Sequence, residues 1–477
     1  MIKLVQCELR KIFKSKFNLL LLILIFGTCF YMIKEQSSGY YHSARDANIS
    51  LEGDNLTDIE TMRYIDEFKH LHAGNADEKY LKEKQDLYNS YIESLQMDEI
   101  DDEVMKEYYG DNYLEIIEAG KNDTMSEAEI EELQQKIYDA QDKTEYQYGV
   151  NWPDIYDDED GTFSLNLIYK NQDKSRILSM MFNPSYDMLA NKKEHLINYD
   201  DIKNENYEIN EYDSNYINIH LGYLQMDFAS KDNLDLIDEN YVNWLNHKFL
   251  SNSTYVDSEV GLETLDRMLG DSNMVFSRLL LILLMVILCA DVFSIERSNH
   301  VDQQLACSQK GNRQVYVAKW ITMLILSILI CIGFVIMAVG YVRYLVPIRN
   351  WNLVSESQFF LFTYKELILT DIGVLLTALL ATASMTGFLS CITKNRFIAA
   401  IISLCVLIFP YFTGNWPGPY KNIPSMIAYD TNLWWGEFKN IGGVMASSLI
   451  LTASLWLIIS LVMFVIGYIK ERRHIVR

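Results

Sequence analysis

Cysteine is missing from the long polar stretch 35–272, although the 477-residue chain contains seven cysteines elsewhere. A small domain stapled by disulfides is therefore excluded there, and the stretch is long enough to build a core without them. No two cysteines form a CxxC pair, which argues against a thiolate metal site. We interpret the cysteines as small apolar filler residues.

The catalytic motifs that can be recognised in a single sequence are also missing. There is no GxxxxGK[ST] phosphate-binding loop, no HExxH zinc motif and no GxSxG nucleophile motif. The eight histidines are scattered, and His70 and His72 would fall on different faces of a helix. The sequence therefore predicts no catalytic residue, no metal site and no bound cofactor, so any ATP must be hydrolysed by another chain.

Charge and hydrophobicity are strongly segregated along the chain. The stretch 35–272 contains 54 acidic and 19 basic residues, whereas the rest contains 10 acidic and 22 basic residues. So acidic a segment would repel phosphate, which argues against nucleic acid as a partner. The predicted domains are 1–34, then the acidic domain 35–272, and then 273–477.

The first residues predict an amphipathic helix on the inner face of a membrane. Apolar side chains recur at helical spacing over 1–16, and basic side chains occupy another face. The apolar run 17–33 follows and ends without a small-x-small cleavage site, so we expect a retained anchor and not a signal peptide. Five basic residues precede this run, which predicts a cytoplasmic N-terminus.

Six apolar runs have about the length of a membrane span. They cover residues 17–33, 274–295, 320–342, 367–392, 397–412 and 441–469. With the N-terminus inside, the inner segments 1–16, 294–319, 393–396 and 470–477 contain five, four, two and four basic residues. This distribution satisfies the positive-inside rule. We predict a mainly α-helical multi-pass protein of the cell membrane with both termini in the cytoplasm.

The acidic domain 35–272 is then expected outside the cell. Residues 58–147 contain no proline, which predicts several helices, with breaks near Gly110, near Gly120 and at 122–124. Short apolar pieces such as 163–169 predict strands, and 262–269 predicts a last helix before the membrane. The domain is expected to be mostly helical, either α or α+β.

The polar segment 295–319 lies between two apolar spans and contains Glu296-Arg297-Ser298, then Gly311-Asn312-Arg313, and finally Lys319. This order resembles the inner loop of type-2 ATP-binding-cassette permeases, and the start of the chain resembles their N-terminal elbow helix. The sequence departs from the family pattern at His300, where glycine is usual, and at Ser308, where many members have proline.

The resemblance implies that 295–319 is a cytoplasmic coupling loop gripped by a separate ATPase subunit, which binds the ATP and magnesium. The expected contact residues are Glu296, Arg297, Ser298, Leu305, Gly311, Arg313 and Lys319. For Lys319 the sequence also allows a simple role as a headgroup anchor. Type-2 permeases work as dimers, so a second copy or a paralogous permease is an expected partner. The implied function is export, and the acidic domain suggests peptides or antibiotics as cargo, for efflux or self-immunity.

Charges inside membrane spans suggest function, and Asp291 and Asp371 are the two candidate intramembrane acidic residues. They leave open a sodium-type ion exporter of the same family. A membrane-anchored receptor or sensor that transports nothing is the other alternative.

Overall fold

The computed structural model describes most of the chain. The described residues are 1–40, 49–121, 130–135, 155–157, 163–165, 167–182, 189–193, 196, 239–270, 274–298, 311–355, 362–393, 395–412, 438–441 and 444–474. They divide into two compact units. The bundle unit comprises Met1–Ser37, Asn191–Ser253 and Glu259–Arg477, and the polar unit comprises Ser38–Ala190 and Thr254–Ser258. The predicted acidic domain 35–272 thus covers the whole polar unit and part of the bundle unit.

The bundle unit is built from helices. They are α1 (Ile2–Lys14), α2 (Lys16–Tyr40), α8 (Glu239–Ser251), α9 (Val260–Gly270), α10 (Val275–Ser298), α11 (Gly311–Leu345), α12 (Tyr364–Thr393), α13 (Arg396–Phe412) and α14 (Ser448–His474), numbered in chain order with those of the polar unit. One antiparallel hairpin, β5 (Phe438–Ile441) with β6 (Val444–Ser447), precedes α14.

Five of these helices, α2, α10, α11, α12 and α14, are long and apolar enough to cross a membrane. The chain is therefore a mostly helical protein of the multi-pass membrane type. The predicted span 397–412 coincides with α13, an apolar helix of 17 residues that is shorter than those five. The predicted span 441–469 began too early, because the hairpin occupies its first residues and α14 begins at Ser448. Two glycines, Gly442 and Gly443, disfavour a helix at that point.

Helix α12 is the central helix of the bundle, and it packs against α9, α10, α11, α13 and α14. Its buried face contains small side chains such as Ala378, Ala381 and Gly387, which let neighbouring helices approach closely. The hydroxyl of Ser390 donates a hydrogen bond to the Ala290 carbonyl of α10 at 2.7 Å. Close packing and this polar contact fix α10 against α12.

The predicted N-terminal amphipathic helix is present as α1, and it packs against α11. Val5, Glu8 and Ile12 are buried, which places one stripe of the helix against its neighbours. Ile2 and Phe13 remain exposed.

The polar unit is also mainly helical where it is described. Its helices are α3 (Asp58–Leu71), α4 (Glu78–Ser94), α5 (Asp102–Tyr109), α6 (Tyr113–Lys121) and α7 (Gln172–Met181). Strands β1 (Gly74–Asn75) and β4 (Tyr255–Val256) pair, as do β2 (Ile155–Asp157) and β3 (Phe163–Leu165). One core cluster of this unit consists of Met105, Tyr109, Tyr113, Ile116, Leu133 and Ile168.

Local sequence signals explain several boundaries in the polar unit. Thr57 and Glu60 form a capping box at the start of α3. Gly110 ends α5 with a φ of 92°, a conformation that favours glycine, so the break predicted there is confirmed. Helix α6 continues through Gly120 to Lys121, one residue beyond the break predicted near Gly120, and the break predicted at 122–124 lies outside the described residues.

Candidate functional site

The predicted coupling residues lie mostly on two helices and not in one loop. Helix α10 continues to Ser298, so Glu296, Arg297 and Ser298 form its last turn. Helix α11 begins at Gly311. Hydropathy ends a predicted span where polar residues begin. The backbone hydrogen bonds of both helices continue into those polar residues, so the helices are longer than the predicted spans. Leu305 lies outside the described residues.

The two basic coupling residues of α11 occupy different environments. Arg313 is exposed in the first turn, whereas Lys319 is only 3% exposed. The ammonium group of Lys319 lies 5.0 Å from the ring centroid of Phe293 on α10, in a cation–π contact. Lys319 thus joins α10 to α11 inside the bundle, and of the two side chains Arg313 is the one available to a partner.

Helix α14 reaches the same end of the bundle. The Tyr316 hydroxyl of α11 donates a hydrogen bond to the Phe464 carbonyl of α14 at 2.9 Å. The Tyr316 ring also lies 6.0 Å from the ring of Tyr468 and 5.4 Å from that of Phe293. Tyr316 therefore connects the beginning of α11 to the ends of α10 and α14.

A cavity of roughly 570 Å³ opens at this end of the bundle. It is lined by parts of α1, α2, α10, α11 and α13, including Glu8, Lys11, Asp291, Thr322 and Arg396. Lys11 Nζ lies 2.7 Å from Glu8 Oε1, and Arg396 Nη1 lies 3.7 Å from Asp291 Oδ1. Both carboxylates have a cation beside them. The pairing with Arg396 gives Asp291 a partner of opposite charge on a neighbouring helix.

These contacts bring the basic segments of the sequence together. We define the basic end of the bundle as α1, the last turns of α10, α12 and α14, and the first turns of α11 and α13. The four segments that the sequence groups on one side of the membrane are attached to these turns. Long helices thus connect the basic end to an opposite end, where Phe30 of α2 contacts Tyr341 of α11 at 5.6 Å.

Asp371, the second candidate acid, lies far from the first. It is 5% exposed, near the start of α12. Ser390 of the same helix contacts Ala290, the neighbour of Asp291. The 19 residues from Asp371 to Ser390 correspond to a helical rise of about 28 Å. The two carboxylates therefore belong to different sites and cannot bind one ion together.

No cluster of three or more potential metal ligands occurs among the residues that the structure describes. The partnership of Asp291 with Arg396 and the burial of Glu8 were not foreseen from the sequence. Residues 291 and 396 are 105 positions apart, and only the packing of α10 against α13 brings them together. Glu8 carries a weak signal, because an acidic residue interrupts an otherwise basic and apolar helix.

Comparison with known protein families, curated proteins and solved structures returned no match for this chain. The class of protein is therefore defined by its own helices, as a helical multi-pass membrane protein with a polar helical unit.

Proposed function

We propose that this chain is the membrane-spanning permease subunit of an ATP-driven exporter. In this proposal α13 completes a set of six crossings, both termini and the basic end face the cytoplasm, and the polar unit faces outward. A separate ATP-binding-cassette subunit supplies ATP and magnesium and grips the segment between α10 and α11. A second permease copy or a paralogue completes the transport path.

The observation that carries this proposal is the convergence of the elbow helix α1 with both flanks of segment 295–319 at the basic end. Helix α11 contacts three elements there, namely α1, α10 through Lys319, and α14 through Tyr316. A force applied between Ser298 and Gly311 would act on α10 and α11 together and reach α14 through Tyr316. Packed helices move as rigid bodies, so a displacement imposed by a separate ATPase subunit would reach the rest of the bundle.

Charge supports cationic peptides or antibiotics as the cargo. The stretch 35–272 contains 54 acidic and 19 basic residues. A surface of that charge raises the local concentration of cations by long-range attraction. Export then follows when ATP binding closes the motor subunits and moves the helices of the basic end.

The two ends of α11 provide a matched test of sidedness. Arg313 and Arg343 are both exposed and are 30 residues apart, a rise of about 45 Å against a hydrocarbon core of about 30 Å. In a cysteine-free background, Arg343→Cys should react with a membrane-impermeant maleimide on intact cells. Arg313→Cys should react only after permeabilisation. Labelling of the 313 position in intact cells would place the basic end outside and end the proposal.

The same pair tests the coupling. We expect purification from native membranes in mild detergent to retain a subunit that contains a phosphate-binding loop and hydrolyses ATP. Arg313→Glu should lower both the recovery of this subunit and the ATPase rate by tenfold or more (about 1.4 kcal/mol per tenfold). The reversed charge would repel the group on the ATPase subunit that Arg313 attracts. Arg343→Glu should leave both unchanged. Equal effects of the two variants, or recovery of no ATP-hydrolysing subunit with the unmodified chain, would refute the coupling role.

Sodium-type ion export is the second candidate, and the position of Asp291 beside a cavity favours it. If ions are the cargo, the unmodified protein should confer no peptide resistance. Asp291→Asn should then abolish sodium efflux from loaded vesicles. If peptides are the cargo, the Asp291→Asn protein should still confer resistance. Measuring both activities on one variant separates the candidates.

A further inference from the structure

The polar unit contains a cavity of roughly 770 Å³, a volume within the usual range of small-molecule sites. It is walled by α3, α4, the end of α7 and the end of β4 with the residue that follows it. Because the wall combines segments that are distant in the sequence, no local sequence motif predicts the cavity. Nothing in the proposed transport function requires this cavity.

Lysine side chains give the cavity a charge opposite to that of the unit around it. The polar unit has 37 acidic and 13 basic residues, yet Lys69, Lys82 and Lys84 all line this one cavity. Lys84 Nζ lies 5.1 Å from the ring centroid of Tyr80, which holds the ammonium group against the cavity wall. Burial lowers the pKa of Lys84 to about 8, as expected for an amine turned away from bulk water.

Two carboxylates also line the cavity, and one of them is engaged elsewhere. Asp257 is 6% exposed; its Oδ1 lies 2.8 Å from His70 Nδ1 and accepts the Ser258 amide hydrogen at 2.7 Å. Asp86 is exposed on the surface of α4. The three lysines of the wall thus outnumber its two carboxylates, one of which is already hydrogen-bonded within the protein.

Part of the apolar wall is aromatic, formed by Tyr80, Tyr88 and Phe182. The Phe182 ring lies 5.4 Å from Tyr88 and 5.4 Å from Phe68, with steep interplanar angles of 76° and 68°. Such edge-to-face clusters present flat, rigid surfaces on which another ring can pack. Met181 adds a polarisable apolar side chain to the wall beside Phe182.

We propose that this cavity, with Lys69, Lys82 and Lys84 beside Phe182 and Tyr88, binds a small anionic amphipath. The ligand class is an aromatic or short aliphatic body that carries one carboxylate or phosphate group. The anionic group lies among the lysine ammonium groups, and the apolar body packs on the aromatic wall. The polar unit thus recognises an anion although its overall charge attracts cations.

Pyridoxal phosphate is a suitable probe, because it has an aromatic body, a phosphate group and an aldehyde. The aldehyde condenses with a lysine amine to an imine with loss of water, and borohydride reduces the imine to a stable adduct that peptide mapping locates. With the full-length protein in nanodiscs, modification of Lys84 should saturate with probe concentration. Lys79 serves as the internal control, since it lies on the same helix, is 82% exposed and does not line the cavity.

Competition and variants distinguish binding from simple amine reactivity. We expect 2-naphthoate to protect Lys84, whereas uncharged 2-naphthalenemethanol and cationic 2-naphthylmethylamine give at least tenfold less protection. Lys82→Gln should weaken protection by naphthoate about tenfold, as loss of one charged hydrogen-bond donor does, and Lys79→Gln should leave it unchanged. Unsaturable labelling of Lys84, or equal protection by the three naphthalenes, would overturn the proposal.

Discussion

The Tyr316 hydroxyl donates a hydrogen bond to the Phe464 carbonyl at 2.9 Å, and this contact fixes the beginning of α11 to the end of α14. Tyr316 is 2% exposed and lies directly over Gly467, one turn further along α14. A Cβ atom built on Gly467 would lie 2.2 Å from the tyrosine oxygen. The absence of a side chain at this position is what allows the contact.

We therefore expect Gly467→Ala to destabilise the protein by about 1–3 kcal/mol, the usual effect of overpacking a filled site. The measurement is thermal unfolding in detergent, followed by tryptophan fluorescence. Tyr316→Phe removes the oxygen that clashes, so the double variant should lose less stability than the sum of the two single variants. Additive losses would show that Gly467 does not meet Tyr316.

The sequence predicted the parts of the fold that depend on long apolar runs. The periodicity of 1–16 predicted α1, and five of the six apolar runs correspond to helices long enough to cross a membrane. These elements could be predicted because burial in lipid or protein requires many consecutive apolar residues. The helix predicted at 262–269 is confirmed as α9 for a similar reason, since its apolar residues recur at helical spacing.

The features that the sequence did not reveal depend on contacts between distant residues. Lys319 was expected at a helix end, yet it is buried, with its ammonium group over the ring of Phe293 on the preceding helix. The pairing of Asp291 with Arg396 and the lysine-lined cavity each join elements that are distant in the chain. Local patterns describe one element at a time and contain no information about which elements meet.

A second prediction concerns the contact of α9 with the chain that follows α11. A Cβ atom on Gly261 would lie 2.6 Å from the Pro347 carbonyl oxygen, and a backbone oxygen cannot rotate away as a side chain can. Gly261→Ala should therefore lower the free energy of unfolding by about 1–3 kcal/mol.

The matched control for Gly261 is Gly340→Ala in α11, where nothing lies within 4 Å of the added Cβ atom. Alanine is favoured over glycine inside a helix, so this variant should be neutral or gain up to about 1 kcal/mol. Comparable losses in both variants would mean that the close approach to Pro347 is not what requires glycine at 261.

A third prediction separates a helix cap from an ion pair at the start of α12. Glu366 Oε2 accepts a hydrogen bond from the Thr363 amide at 2.9 Å, and the Glu366 amide donates one to Thr363 Oγ1 at 3.3 Å. The other carboxylate oxygen, Oε1, pairs with Lys248 Nζ of α8 at 2.5 Å. One side chain thus completes a capping box and also ties α8 to α12.

Lys248→Met removes the ion pair alone and should cost about 0–1 kcal/mol, because the pair is partly exposed. Glu366→Ala removes the cap as well and should cost roughly 1–2 kcal/mol more. Glu366→Gln keeps an acceptor for the cap and should resemble Lys248→Met. The unfolding midpoints of the three variants test this order, and a Gln variant as unstable as the Ala variant would contradict it.

A fourth prediction concerns Lys84, whose pKa is lowered to about 8 because burial disfavours the ammonium form. The neutral amine should accumulate as the pH rises through 8, so its acetylation rate should level off above about pH 9. Acetic anhydride labelling with peptide mapping measures this rate against that of exposed Lys79. A Lys84 rate that still rises steeply between pH 9 and 10.5 would contradict the lowered pKa.

The same lowering makes stability depend on pH in a defined direction. Between pH 8 and about 10.5 the unfolded chain keeps a proton on Lys84 that the folded protein has released, so the free energy of unfolding rises with pH. Lys84→Met removes this titration, and its stability relative to the unmodified protein should therefore fall as the pH rises across that window. Lys79→Met is the control and should show no such trend. Parallel pH profiles for the unmodified protein and Lys84→Met would show that burial does not act on this amine.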